Sequence, residues 1–294
     1  MFLLHPTQAW QFRDLLGLIS LLAVLAMLII IPYMWILPIY FVGKRFKFLS
    51  NKNAYESAWN LKRFWFVSCG FLFASLFACV VEPGMLYSII NSSGLADRTA
   101  ENIGLTNLVF IIIMALFGLM VMCKVNAKVL LSNAHTIGKS ILIAVGIFFA
   151  FKLISGIYVL SGAKIFNISM DELANVSKIV LMSKQDITAM VSVLGKGGCI
   201  LLIGFLGPIY EEIIFRGVIL DSCQRYINFN VANIFQALLF ASIHGSFFLF
   251  PVFFLFGILV GIMRKKSGGL LPCIVFHILN NVVVMAFLLV KDIQ

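Results

Sequence analysis

The sequence predicts an all-α membrane protein, a polytopic bundle of seven or eight transmembrane helices, and three observations predict it. First, the hydrophobic fraction is 62%, only 12% of residues are charged and the mean hydropathy is +1.05. A soluble domain is nearer half apolar and a quarter charged, so this chain has too little polar surface to cover a water-facing body. Second, long apolar runs recur along the chain, and 294 residues leave room for about eight spans of roughly 20 residues each. Third, the basic residues concentrate in the connections between those runs, where they orient a membrane protein.

The runs fall at about 15–42, 65–90, 105–123, 139–161, 198–225, 231–250, 251–263 and 269–290. The first is longer than a signal-peptide core and has no small-x-small cleavage site. It continues through Pro32, Trp35 and Pro38, which predicts one long span with the prolines as kink points. The run 251–263 is short and starts at Pro251 directly after its neighbour, so those two are read as a tight hairpin or a re-entrant pair. The segment 162–197 is the sizeable polar one. Within it, 171–181 and 186–194 predict short amphipathic helices at the interface, in a connector rather than a lid. The chain therefore divides into N-terminal transmembrane helices and an outer loop at 1–197 and a core at 198–290, together one membrane domain with no second soluble one.

The net charge of +10 follows the same layout. Lys44, Arg45, Lys47, Lys52, Lys62 and Arg63 face a single acid, Glu56; Lys124, Lys128 and Lys139 face none; Arg264, Lys265 and Lys266 form a third basic turn. If the spans alternate, all three connections share one side, which the positive-inside rule makes cytoplasmic and which leaves both termini outside. No stretch interleaves dense Lys/Arg with aromatics, so nucleic acid is excluded as a partner. The six cysteines, Cys69, Cys79, Cys123, Cys199, Cys223 and Cys273, lie in or at the ends of apolar runs without a CxxC pair. They read as packing residues rather than a zinc or disulfide framework.

Chemistry concentrates in the last third. An ionisable group inside a span costs about 2.5–3.5 kcal/mol on the insertion scale, so carboxylates there are functional-site candidates by default. Glu211 and Glu212 sit side by side near the middle of the fifth run, pointing about 100° apart on a helix. Glu212 and Arg216 are four apart, on one face, and predict a structural ion pair that lowers the cost of burying both. Glu211 has no partner in its own helix and is the candidate general base. His244 lies within the next run, and His277 and Asn281, again four apart, share a face of the last. Alone, each has an ordinary reading: a histidine as an interhelical donor, Asn281 as helix–helix glue. Their coincidence at one depth points to one buried site. Lys152, in the middle of the fourth run, either pairs with a carboxylate or snorkels.

These residues resemble the CAAX protease and bacteriocin-processing family, also called the Abi family, whose pattern is Glu-Glu-x-x-x-Arg, Phe-x-x-x-His and His-x-x-x-Asn or Asp. Here the pattern reads Glu211-Glu212…Arg216, Phe240…His244 and His277…Asn281, and the glycines of 256–272 resemble the family's approach to its last motif, although Gly268 stands where many members have Thr-Gly-Ser. The resemblance covers about 198–285. It implies an intramembrane endopeptidase, multi-pass in a bacterial plasma membrane, that cleaves a membrane-associated peptide or protein. By the same resemblance Glu211 activates a water that His244 helps to position, and His277 and Asn281 stabilise the oxyanion, roles that suit the chemistry of these groups. Glu211, His244 and His277 with a water could also hold zinc tetrahedrally. The absence of HExxH and the origin of the ligands on separate helices favour a glutamate-dependent site without a metal cofactor. The rival readings are a non-enzymatic bacteriocin-immunity protein and a proton-coupled transporter, the latter without the inverted repeat that many transporters show.

Overall fold

The computed structural model describes residues 6–49, 60–80, 112–113, 116, 137–168, 191, 194–244 and 246–291. Its architecture is an all-α membrane bundle. Seven helices are described: α1 (Pro6–Arg45), α2 (Leu61–Val80), α3 (Ile137–Ile165), α4 (Leu194–Gln224), α5 (Phe229–Ile243), α6 (Phe250–Ser267) and α7 (Leu271–Lys291). α1 is continuous through both Pro32 and Pro38. Among the described residues, α3 and α4 are long and apolar enough to cross a membrane. Apart from 112–113 and 116, the run 105–123 lies outside the described residues. So do the amphipathic helix expected at 171–181 and all but 191 and 194 of that expected at 186–194.

Helix ends follow local chemistry. Asn228 caps α5, its side chain accepting from the Val231 N–H at 3.1 Å, which satisfies one of the donors that the first turn leaves free. Pro251 opens α6, where its missing N–H costs nothing. Gly268 closes α6 in the left-handed region at φ 69°, its N–H returning to the Arg264 carbonyl, a conformation that a side chain would strain.

The last four helices form the centre. α5 and α6 are antiparallel and in near-backbone contact: a Cβ on Gly257 would stand 2.8 Å from Ala237 Cα, and one on Gly261 would fall on the Asn233 amide. The expected tight hairpin is present, with its turn between Ile243 and Phe250 rather than at Pro251. At 15 residues, α5 rises only about 22 Å, short of the ~30 Å hydrocarbon core. His244 follows its last residue as the C-cap. α3 lies antiparallel to α6: Phe151 meets Phe256, while Tyr158 donates to the Phe248 carbonyl at 2.9 Å. Phe148, Phe151, Phe256 and Phe276 stack edge to face in the shared core, which also takes Ile36 and Ile39 from α1 and Phe64 from α2. On its other face α3 exposes Leu142, Phe149, Leu153, Ile157 and Leu160, the surface expected against lipid.

The contacts also sort the charges. The loop after α1 meets the α4–α5 turn, where the Asn228 N–H donates to the Leu49 carbonyl at 2.7 Å and Gly43 admits Tyr226. Lys265 lies over the Phe229 ring at 4.2 Å, so the connections near 44–49 and 265–266 share one end. Since α3 is antiparallel to α6, Lys139 belongs to that end as well. Arg264 departs from the expectation of a loop charge: it is buried in the last turns of α6 and its Nη2 meets Asp221 Oδ2 at 3.3 Å. Lys152 is half-buried, with Nζ 5.7 Å from the Phe148 ring centroid, a cation–π contact, and it pairs with no carboxylate among the described residues.

Candidate active site

The site is built on an irregular α4. Two of its stretches, Ile200–Leu206 and Ile213–Ile219, are π-helical and flank the regular turn Gly207–Glu212. The Gly207 N–H reaches back five residues to the Leu202 carbonyl, and the Leu220 N–H five residues to that of Phe215. Such wide turns in a helix recur at functional sites. In this register the Ile203 carbonyl would await the N–H of residue 208, but residue 208 is proline and has none. Asn281 Nδ2 supplies the missing donor from α7 at 3.2 Å. Gly204, packed against Val282, lets the two helices approach closely enough for this bond.

Glu212 is fully buried and holds two partners on one oxygen. Arg216 Nη1 donates to its Oε1 at 2.9 Å, and His277 Nδ1 meets the same atom at 2.7 Å. A carboxylate oxygen already paired with a guanidinium can only accept, so His277 Nδ1 carries a proton. This fixes the ring and turns Nε2 toward Glu211, whose Oε2 lies 3.8 Å away, beyond hydrogen-bond length. The expected pair Glu212–Arg216 is thus present, and the link from Glu212 to His277 was not legible in the spacing of the sequence because it joins residues 65 apart.

Arg216 is clasped by aromatic faces: its Cζ lies 4.5 Å from the Phe240 centroid and 5.8 Å from that of Phe256. Such contacts partly replace the water lost on burial. Phe240 and Phe256 also pack against His277, at 6.0 and 4.8 Å between centroids.

His244 caps α5 and its Nδ1 donates to the Phe240 carbonyl one turn earlier at 2.7 Å. Its ring is stacked on Phe253 at 4.0 Å and touches Phe240 at 4.6 Å. The bond to a carbonyl fixes the tautomer, leaving Nε2 as the acceptor. The structure therefore brings Glu211, Glu212, Arg216 and His277 together directly, joins His244 to them through the Phe240 ring, and places Asn281 on the π-helical turn of α4. Asn281 also accepts from Asn280 Nδ2 at 3.2 Å.

Among the described residues no group of three or more His, Cys, Asp or Glu is arranged to hold a metal ion. The zinc set considered from the sequence, Glu211, His244 and His277, is not among such groups: His244 Nδ1 donates to the Phe240 carbonyl and its ring stacks on Phe253, while His277 is turned onto the two glutamates. A cavity of about 170 Å³ lies nearby on the far side of Phe215, between Trp35, Ser68, Ile219 and Leu239, and contains none of these groups.

Residues 196–283 match the family model described as type II CAAX prenyl endopeptidase Rce1-like. A stretch of 98 residues is 30% identical to the membrane-embedded CAAX protease MroQ of Staphylococcus aureus (strain USA300), covering 31% of this chain and 40% of that protein. The chain thus spans less than half the length of that relative. No solved structure matches it.

Proposed function

We propose that this chain, whose residues 196–283 match the CAAX protease family, is an intramembrane endopeptidase that cleaves a peptide bond in or beside the bilayer with a glutamate-activated water. It is read as multi-pass in a bacterial plasma membrane, with the basic end cytoplasmic and 198–290 as its catalytic core. The observation that carries the reading is the pair Glu211 and His277. A carboxylate faces an imidazole nitrogen at 3.8 Å, and the other ring nitrogen is anchored on Glu212.

The charges suggest how the pair works. Glu211 and Glu212 are two potential anions beside the single guanidinium of Arg216, and a second ring proton on His277 makes the four groups electroneutral. In that state Glu211 is a free carboxylate base and His277 Nε2–H is a donor beside it. A water positioned by His244 Nε2 gives a proton to Glu211 as its oxygen attacks the carbonyl carbon. The developing oxyanion is met by His277 Nε2–H and by the Asn281 Nδ2 hydrogen not donated to Ile203. Glu211 then passes its proton to the leaving nitrogen, releasing an amine and a carboxylic acid that keeps the other proton of the water. Glu212 and Arg216 touch no substrate here; they hold the ring and its charge. No metal takes part in this scheme, and the substrate is a membrane-associated peptide or protein segment.

The test compares peptide termini in membranes and medium of cells carrying the wild type or Glu211→Gln at equal protein levels. New termini that appear only with the wild type are expected. Identical samples, with a cellular phenotype that Glu211→Gln preserves, would replace this reading by a binding or immunity role.

A further inference from the structure

The family match begins at residue 196, yet a helix outside it reaches the turn that follows His244. Tyr158 on α3 donates from its hydroxyl to the Phe248 carbonyl at 2.9 Å, across 90 residues of sequence. The Phe248 ring lies against the Tyr158 ring at 5.8 Å between centroids and meets Phe166 edge-on at 6.2 Å. A Cβ on Gly162 would stand 2.9 Å from Phe248 Cε2, so the ring keeps its present place only because residue 162 has no side chain. Neighbouring Phe247 is 98% exposed. α3 thus grips the α5–α6 turn at Phe248.

The turn's own bonds are long. The Leu249 N–H reaches Ser246 Oγ at 3.3 Å and the Phe250 N–H reaches the Phe247 carbonyl at 3.4 Å, against a usual length of about 2.9–3.0 Å. The N-cap residue of α6, Leu249, gives its helix no side-chain cap. Phe248 stands just before it, so its carbonyl lies outside the ladder of α6 and is available to Tyr158. The Leu249 carbonyl accepts from the Phe253 N–H at 3.0 Å, and the Phe253 ring stacks on His244 at 4.0 Å and 23°. His244 Nδ1 is held by the Phe240 carbonyl of its own helix, while Phe253 covers a face of the ring. A shift of the first turn of α6 is therefore a shift of the surface on which the imidazole rests.

We propose that Tyr158 and Gly162 are positioning residues for His244: through Phe248 they seat the first turn of α6, and through Phe253 that turn sets the direction in which His244 Nε2 meets the water. The inference rests on the proposed hydrolysis for the role of His244, but not for the mechanical link from α3 to its ring. It places a determinant of rate on a helix outside residues 196–283. A misplacement of about 1 Å by a remote change can cost about 10²-fold in rate, so a contact this far from the reacting atoms is enough to govern it.

The test is NMR of the full chain in lipid nanodiscs with ¹³C-labelled histidine. Of the four histidines, the signal of His244 is the one that His244→Gln removes. Stacking on Phe253 shields its ring protons, so release from that ring moves them downfield. Tyr158→Phe and Gly162→Ala are each expected to move the His244 signal downfield and to leave that of His277 in place. Each is also expected to lower kcat about tenfold, at unchanged KM, on a reporter peptide taken from the wild-type cleavage sites. In a Phe248→Leu background, which lacks the ring atoms that a methyl group at 162 meets, Gly162→Ala is expected to move neither reading further. An unmoved His244 signal in both variants overturns the proposal whatever happens to kcat. So does a moved signal with wild-type kcat. A chain that cleaves nothing yet shows the His244 shift in both variants would refute the protease reading and establish the link from α3.

Discussion

His277 Nδ1 donates to Glu212 Oε1 at 2.7 Å, across 65 residues of sequence and between two different helices. The same oxygen accepts from Arg216, so one carboxylate fixes both the orientation of an imidazole and the charge of a guanidinium. The two adjacent glutamates consequently have different surroundings, and they are expected to respond differently to the same substitution.

Glu211→Gln is expected to leave folding nearly unchanged and to lower cleavage by about 10²–10⁴-fold, the usual contribution of a positioned general base. Glu212→Gln strands Arg216 without its counter-charge in a buried site, and breaking a buried pair costs about 3–5 kcal/mol. Thermal unfolding in detergent, read beside cleavage of a reporter peptide, separates them: activity lost with stability kept for the first, and both lost for the second. Equal unfolding temperatures for the two variants would contradict the assignment of Glu212 as anchor.

His244 ends a short helix and offers only Nε2 to the site. His244→Ala is expected to lower kcat by about 10²-fold or more with little change in unfolding temperature, since its ring lies on the faces of Phe240 and Phe253 rather than in an ion pair. A variant with wild-type kcat would remove His244 from the catalytic group.

The bond from Asn281 to Ile203 exists because Pro208 cannot donate. Asn281→Leu leaves the Ile203 carbonyl buried and unpaired, at a cost of about 1–3 kcal/mol. In a Pro208→Ala background the new N–H can serve that carbonyl, so the same substitution is expected to cost less. A double-mutant cycle on unfolding free energy measures the difference; strict additivity would show that the two residues do not share this acceptor.

Gly261→Ala places a methyl group on the Asn233 amide, which bonds the Ile258 carbonyl at 3.1 Å and Gln236 Nε2 at 2.8 Å. Overpacking at a close helix contact costs about 1–3 kcal/mol. Here it also breaks two hydrogen bonds, so the unfolding temperature is expected to fall and Asn233→Ala to restore part of the loss.

How far the sequence could be read depends on how local each signal is. The ion pair of Glu212 with Arg216, four residues apart on one helix, was legible because helical periodicity alone makes them neighbours. The sharing of a face by His277 and Asn281 was legible for the same reason, and the α5–α6 hairpin was legible as one of two readings, hairpin or re-entrant pair, from the short run that starts at Pro251 directly after its neighbour. The turn itself came earlier, because Phe247, Phe248 and Leu249 continue the hydropathy of a helix that has already ended. What escaped was contact between helices. Nothing in the spacing of Glu212 and His277 says that they meet, nor that Arg264 turns inward to Asp221 instead of marking a loop. The link from Asn281 to Ile203 had a local trace, since a proline inside a span always leaves a carbonyl to be served, but the helix that serves it is known only from the packing.

The two wide turns of α4 bracket Gly207–Glu212. Each inserts one residue more than a regular turn holds, and one residue rotates a helix by about 100° about its axis. The glutamates therefore sit on a segment whose heading is set independently of the helix above and the helix below, much as a vernier is set against a fixed scale. The ends of α4 can keep the facing that their lipid and loop contacts demand while the segment between them aims its carboxylates at α7. Removing a single residue from either wide turn would leave a continuous apolar helix of nearly the same composition. Relative to the end beyond that turn, however, the glutamates would swing by about a quarter-turn, and either they or that end of the helix would lose its present facing.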